Sequence, residues 1–160
     1  MKPEHVLSNP AARVQLDFPV HFIGWYRGNG LRMPHSRRTL LINRSKFQRD
    51  RRATERVLRE LAAVAESLDF DVVCYPAHRD SGRQHARALA RGLAGEFDCD
   101  VVGPSMLREV SLRGRKVLIV DDVMNTGRTL RRLHARLAPH NPREVWGLVY
   151  LVTRMSPERA

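Results

Sequence analysis

The chain has 160 residues, enough for one proper core and too few for two domains of ordinary size. A hydrophobic share of 42% beside a charged share of 28% is that of a soluble globular protein and argues against wholesale disorder. Lysine plus arginine number 28 against 17 acids, a formal charge of +11 that draws nucleic acid and phosphorylated metabolites alike without choosing between them.

Residues 1–9 lack the apolar core of a signal peptide, and no stretch approaches the ~18 consecutive apolar residues of a membrane span. The expectation is a cytoplasmic protein with no membrane partner. Cys74 and Cys99 are too few for a disulfide framework or a thiolate zinc site, and they read as reduced core thiols.

Val14, Leu16, Phe18, Val20 and Phe22 alternate strictly, which predicts a strand with one buried face, and Pro19 points to a sheet edge. Arg27, Gly28, Asn29 and Gly30 are turn chemistry, and residues 39–43 read as a second strand. Residues 1–46 are therefore expected to form a small β-rich flap, and residues 47–160 an α/β core, within one domain over 1–160. Val57, Leu58, Leu61, Ala65 and Leu68 recur at helical spacing and predict a helix over about 49–68. Residues 71–75 read as a buried strand. Ala86, Leu89, Ala90, Leu93, Ala94 and Phe97 form a second helical stripe, with Arg83, Arg87 and Arg91 opposite. Strands over 100–103, 116–120 and 145–153 and a helix over 127–137 complete the series. Strands alternating with helices imply a mainly parallel sheet covered on both faces, with ligands beyond the carboxyl ends of the strands.

The most informative residues run from Val117 to Thr129, Val-Leu-Ile-Val-Asp-Asp-Val-Met-Asn-Thr-Gly-Arg-Thr. Four apolar residues bury the strand, so Asp121 and Asp122 emerge together at its carboxyl end, where they suit sugar hydroxyls or a hydrated divalent cation. Met124 leads into Asn125, Thr126, Gly127, Arg128 and Thr129, the first turn of the following helix, where free amides, the helix dipole and two hydroxyls fit a phosphate monoester. Gly127 permits close approach of backbone to anion; Arg128 can add a charged contact or lie outward. A strand ending in two acids also opens response-regulator receiver domains. Those need a later aspartate, and none follows Asp122 here.

These thirteen residues resemble the 5-phosphoribosyl-1-pyrophosphate (PRPP) motif of type I phosphoribosyltransferases. The match is nearly complete. The resemblance implies that fold, with its hood-like flap, and implies that Asp121 and Asp122 hold the ribose hydroxyls while 124–129 cradle the 5-phosphate. Magnesium would be held mainly by PRPP, with both acids helping through water. The family binds pyrophosphate in a loop after an earlier strand, and Tyr75, Pro76, Ala77, His78 and Arg79 stand where that loop belongs. Residues 75–79 with the helix from Arg83 resemble the competence-protein ComF-like branch, although the cysteines of its zinc ribbon are missing; the Thr-Gly-Arg-Thr tetrapeptide equally resembles the pyrimidine regulator PyrR.

By that resemblance the chain transfers phosphoribosyl from PRPP to a ring nitrogen of a nucleobase-like acceptor, with a nucleotide monophosphate as the alternative occupant and a homodimer as the common assembly of small relatives. Two departures bear on this. Purine-salvage relatives often carry a carboxylate where Asn125 stands, and an amide cannot accept a proton from the base. The stretch between Gly103 and Lys116 is shorter than the mobile loop of catalytic members, with Arg108, Arg113 and Arg115 as a stunted version. The rival reading is a non-catalytic PRPP or nucleotide sensor, or a nucleic-acid-associated protein using its basic surface. Trp25 and Tyr26 could stack on a base or anchor the flap, residues 44–52 read as a solvated helix start, His85 reads as a surface residue, and His78 reads either way.

Overall fold

The computed structural model describes residues 4–5, 16–26, 36–77 and 84–153. Its centre is β5 (Lys116–Met124), whose Val117, Leu118, Ile119 and Val120 are fully buried because strands lie on both sides and helices on both faces. The remaining elements are β1 (Glu4–His5), β2 (Val20–Tyr26), α1 (Arg37–Phe47), α2 (Arg51–Ala65), β3 (Val72–Cys74), α3 (His85–Glu96), β4 (Asp100–Val102), α4 (Arg128–Leu137) and β6 (Glu144–Thr153). The sheet order is β1-β2-β6-β5-β3-β4; β2 to β6 are all parallel, and β1 joins antiparallel to β2. A mainly parallel sheet flanked by helices was the expectation, and it holds.

One face carries α1, α2 and α3, whose Ile42, Val57, Leu61, Leu89 and Leu93 pack on Val73, Leu118, Val120, Leu148 and Tyr150. Each such fully buried aliphatic side chain contributes about 1.5–3 kcal/mol. The other face is closed by Leu130, Leu133 and Leu137 of α4 together with Leu107 and Leu112 from the stretch between β4 and β5. Phe22, Val117, Ile119 and Val149 meet them there.

The amino-terminal third departs from expectation. Residues 39–43 are helical, the middle of α1, where Ser36 caps the amino end by accepting from the Thr39 amide at 3.1 Å. Asp50 likewise caps α2 through the Ala53 amide, so the single helix expected over 49–68 starts at Arg51 behind a separate helix. The alternating run from Val14 enters the sheet only after Pro19, whose carbonyl accepts from the Gly147 amide at 2.9 Å. Pro19 does not mark an edge. Its strand pairs with β6 along its length and with β1 at His21 and Phe22. Val14 and the turn from Arg27 to Gly30 lie outside the described residues.

The pleat breaks at one level across three neighbouring strands. Register runs without a shift from Val20↔Gly147 to Tyr26↔Thr153 and from Lys116↔Glu144 to Met124↔Val152, yet Ile23, Tyr150 and Asp122 have no pair in these ladders. Alternation flips there: Tyr150 and Leu151 both face the helices α1 to α3, where strict alternation would send one of them to the other face. Side chains have taken over the backbone's bonding at this level. Asp121 Oδ1 accepts from the Asp122 amide at 2.8 Å, and Asp122 Oδ1 from the Val123 amide at 2.7 Å.

Candidate functional site

The chain order around β5 makes a crevice. From β3 the chain passes through α3 to β4 on one side, whereas from β5 it passes through α4 to β6 on the other side, and α3 and α4 cover opposite faces. The segments leaving β3 and β5 therefore part company at the carboxyl edge, which is where open α/β sheets take their ligands. Both segments singled out from the sequence stand there.

Met124, the last residue of β5, is buried at 2%, while Asn125, Thr126 and Arg128 beyond it are exposed and Thr129 is half-buried. Gly127 has φ 70°, a left-handed conformation that glycine adopts without strain, and it stands as the cap residue of α4. It offers no side chain to the first-turn amides; the Thr126 hydroxyl reaches the Arg128 amide only at 3.4 Å. α3 also begins without a side-chain cap, at Gln84. The contrast with Ser36 on α1 and Asp50 on α2 is plain: those helices are capped by the side chain of their cap residue, whereas the cap residues of α3 and α4, the two that open on the crevice, supply none. Arg131 steadies the turn by donating to the Thr126 carbonyl at 2.8 Å.

On the β3 side, Pro76 is buried and Ala77 exposed. Tyr75 lies across Gly103, where a Cβ would collide with the phenol, so its ring packs on the start of the next connection. His78, Arg79 and Arg83 lie outside the described residues.

The two acids are buried at 2% each, so they do not stand open as the sequence suggested. Asp122 Oδ2 accepts from Lys46 Nζ at 2.7 Å and from His85 Nδ1 at 3.1 Å. Burial opposes ionisation of Asp122, but the His85 hydrogen bond and the charge and hydrogen bond of Lys46 outweigh it and hold the carboxyl well below the usual range. His85 is thus not the surface residue expected; its side chain is 8% exposed and its Nε2 meets Ser45 Oγ at 2.7 Å. Ser45 in turn meets Thr54 Oγ1 at 2.7 Å, which donates to the Asp50 carbonyl at 3.0 Å. Two consecutive residues of α1, Ser45 and Lys46, so tie that helix to β5 and α3.

The stretch between β4 and β5 is anchored rather than loose. Leu107 and Leu112 are 3% and 0% exposed, and Arg136 donates to the Pro104 carbonyl at 2.9 Å. Arg115 is not part of a catalytic loop: at the amino edge of the sheet it donates to the Asp71 carbonyl and to Asp100, both at 2.9 Å. Arg108 and Arg113 are exposed. Among the described residues no group of three or more His, Cys, Asp or Glu could hold a metal by itself, and no helix is long and apolar enough to cross a membrane. Cys74 and Cys99 are free thiols, and burial pushes Cys74 up to about 12.

The family model of the phosphoribosyl transferase domain matches residues 57–160. The chain belongs to that family. As a phosphoribosyltransferase-family protein it shares the type I fold with solved structures of low identity. Adenine phosphoribosyltransferase from Thermoanaerobacter pseudethanolicus superposes with a TM-score of 0.53 at 17% identity, covering 66% of this chain and 83% of that one. UMP synthase from Leishmania donovani gives 0.51 at 24% identity over 71% of this chain, which spans only 24% of that longer protein. A hypothetical protein from Neisseria gonorrhoeae with bound ppGpp gives 0.51 at 16% identity, covering 62% and 66%. No curated protein matches the sequence.

Proposed function

We propose that this family member binds PRPP with magnesium and transfers its phosphoribosyl group to a ring nitrogen of a nucleobase-like acceptor, releasing pyrophosphate. The observation that carries the reading is the uncapped first turn of α4 behind Gly127, on the strand whose end bears Asp121 and Asp122. In this reading Met124, Asn125, Thr126, Gly127, Arg128 and Thr129 wrap the 5-phosphate, whose charge is met by amides and the helix dipole. Asp121 and Asp122 take the ribose hydroxyls and steady the ring as positive charge develops at C1, while the bond from C1 to pyrophosphate breaks and that to nitrogen forms. Tyr75, Pro76, Ala77, His78 and Arg79, with the uncapped start of α3, receive the pyrophosphate. Magnesium, when bound with PRPP, supplies charge neutralisation to that leaving group, and the buried acids would reach it only through water. Among the described residues no side chain near Asn125 stands out as a general base, so the proton of the acceptor nitrogen passes to solvent. Residues 75–79 and the tetrapeptide Thr126-Gly127-Arg128-Thr129 support a finer likeness to the ComF-like and PyrR branches.

Calorimetry with magnesium-PRPP tests the site, and pyrophosphate release across a panel of nucleobases tests the reaction. Asp121→Asn is expected to weaken PRPP binding about tenfold or more, the worth of a hydrogen bond to a charged group. A folded variant that binds unchanged would remove Asp121 from the site. The second reading, a PRPP or nucleotide sensor without turnover, is favoured by the anchored stretch between β4 and β5 and by the closure of Asp122 behind Lys46. Saturable PRPP binding without pyrophosphate release from any acceptor would select it, and salt-sensitive retention of RNA or DNA would bring in the basic surface.

A further inference from the structure

Resting on the PRPP reading above, we infer that Lys46 is a shared cation: it guards Asp122 until the ribose hydroxyls take its place, and then passes to the pyrophosphate group. Three observations converge on this. Lys46 belongs to α1, outside residues 57–160, so the contact comes from the part of the chain that the family model leaves unmatched. Its side chain is 15% exposed over a carboxylate exposed at only 3%, so the ammonium is the cover and the acid is what it covers. The oxygen it holds also accepts from His85, the first residue of α3, so the ammonium stands where the end of β5 meets the helix that follows the pyrophosphate segment.

Acceptor arithmetic favours the exchange. A carboxylate offers about four acceptor positions, and Asp122 fills three of them with the Val123 amide, Lys46 and His85. A sugar diol that gives both hydroxyls to Asp122 gains room only if one donor leaves. The Val123 amide is fixed in the backbone and His85 is fixed from behind by Ser45, whereas Lys46 is a point charge on a flexible four-carbon stem. A displaced ammonium needs an anion, and pyrophosphate is a stronger one than the carboxylate it left.

The consequence is a coupling of unusual sign. Two anionic ligands bound side by side ordinarily oppose each other, but here either one breaks the same ion pair for the other. Ribose 5-phosphate and magnesium-pyrophosphate, titrated by calorimetry alone and each at saturation of the other, are expected to tighten one another at least ~5-fold in the unmodified chain. The coupling should fall to about 1 in Lys46→Gln. It should fall likewise in Lys46→Arg, which keeps the charge but grips a carboxylate with a two-pronged fork, and which serves if the glutamine variant fails to fold. Coupling at or below unity in the unmodified chain overturns the inference, as does coupling that survives undiminished in the variants, which would assign it to the metal. If the unmodified chain binds neither ligand, the PRPP reading itself falls, and this one with it.

Discussion

A buried carboxylate with a lysine and a histidine on one oxygen is sensitive to loss of either partner. Lys46→Met would leave Asp122 ionised and under-compensated, and breaking such a pair typically costs about 3–5 kcal/mol, to be read from the urea midpoint at neutral pH. The pH dependence has a definite sign. The folded-state pKa of Asp122 lies below its unfolded value of about 3.9, so its contribution is complete above that value and is lost as pH falls toward the folded pKa. Urea midpoints measured from pH 6 down to pH 2 should therefore fall, and less steeply in Asp122→Asn. Sequence alone could have placed His85 here: it stands one turn before Leu89 and two before Leu93, so the buried stripe of α3 extends back through it. Lys46 left no such trace, being one cation in the charge-rich run 44–52.

Among the elements, α2, α4, β3, β4 and β6 were legible because apolar residues fill their inward positions, and α3 and β5 because apolar residues fill all of theirs except at His85, Asp121 and Asp122. α1 was not. Its buried positions are Thr39, Ile42 and Ser45, at helical spacing but only one of them apolar, so the stripe was disguised as a short β-prone run. The inward serine is explained by the site, since it holds His85; a helix that serves a polar cluster cannot advertise itself by hydrophobic period. The turn into α4 was legible for the opposite reason, because a glycine between two threonines is a local signal. Gly127→Ala would force a left-handed φ of 70° on a β-carbon, at a cost of about 1 kcal/mol or more in stability. The same change should weaken binding of ribose 5-phosphate more than that of pyrophosphate, which calorimetry on the folded variant would show.

For the whole molecule, the alternation of strands and helices was enough to foresee a mainly parallel sheet with ligands beyond the carboxyl ends of its strands, but not which helices part to open the crevice. Strand order was not readable, because it is fixed by contacts between segments far apart in the chain, such as β2 with β6. The formal +11 now has a further consequence. A polyanionic ligand approaching this protein is steered by its field, so the association rate of PRPP in stopped flow should drop about tenfold between roughly 20 and 200 mM salt, while a rate indifferent to salt would detach the charge from this ligand.

Ladder pairing gives way at the level of Ile23, Tyr150 and Asp122, and two of these three side chains are held from the helices instead. The segment 124–129 lies beyond that level, and the hold on it runs sideways: Asp122 accepts from Lys46 of α1, while the Tyr150 hydroxyl donates to Glu60 of α2, itself held by Arg38 of α1. α1 and α2 thus grip two neighbouring strands at the same height, just short of the turn into α4.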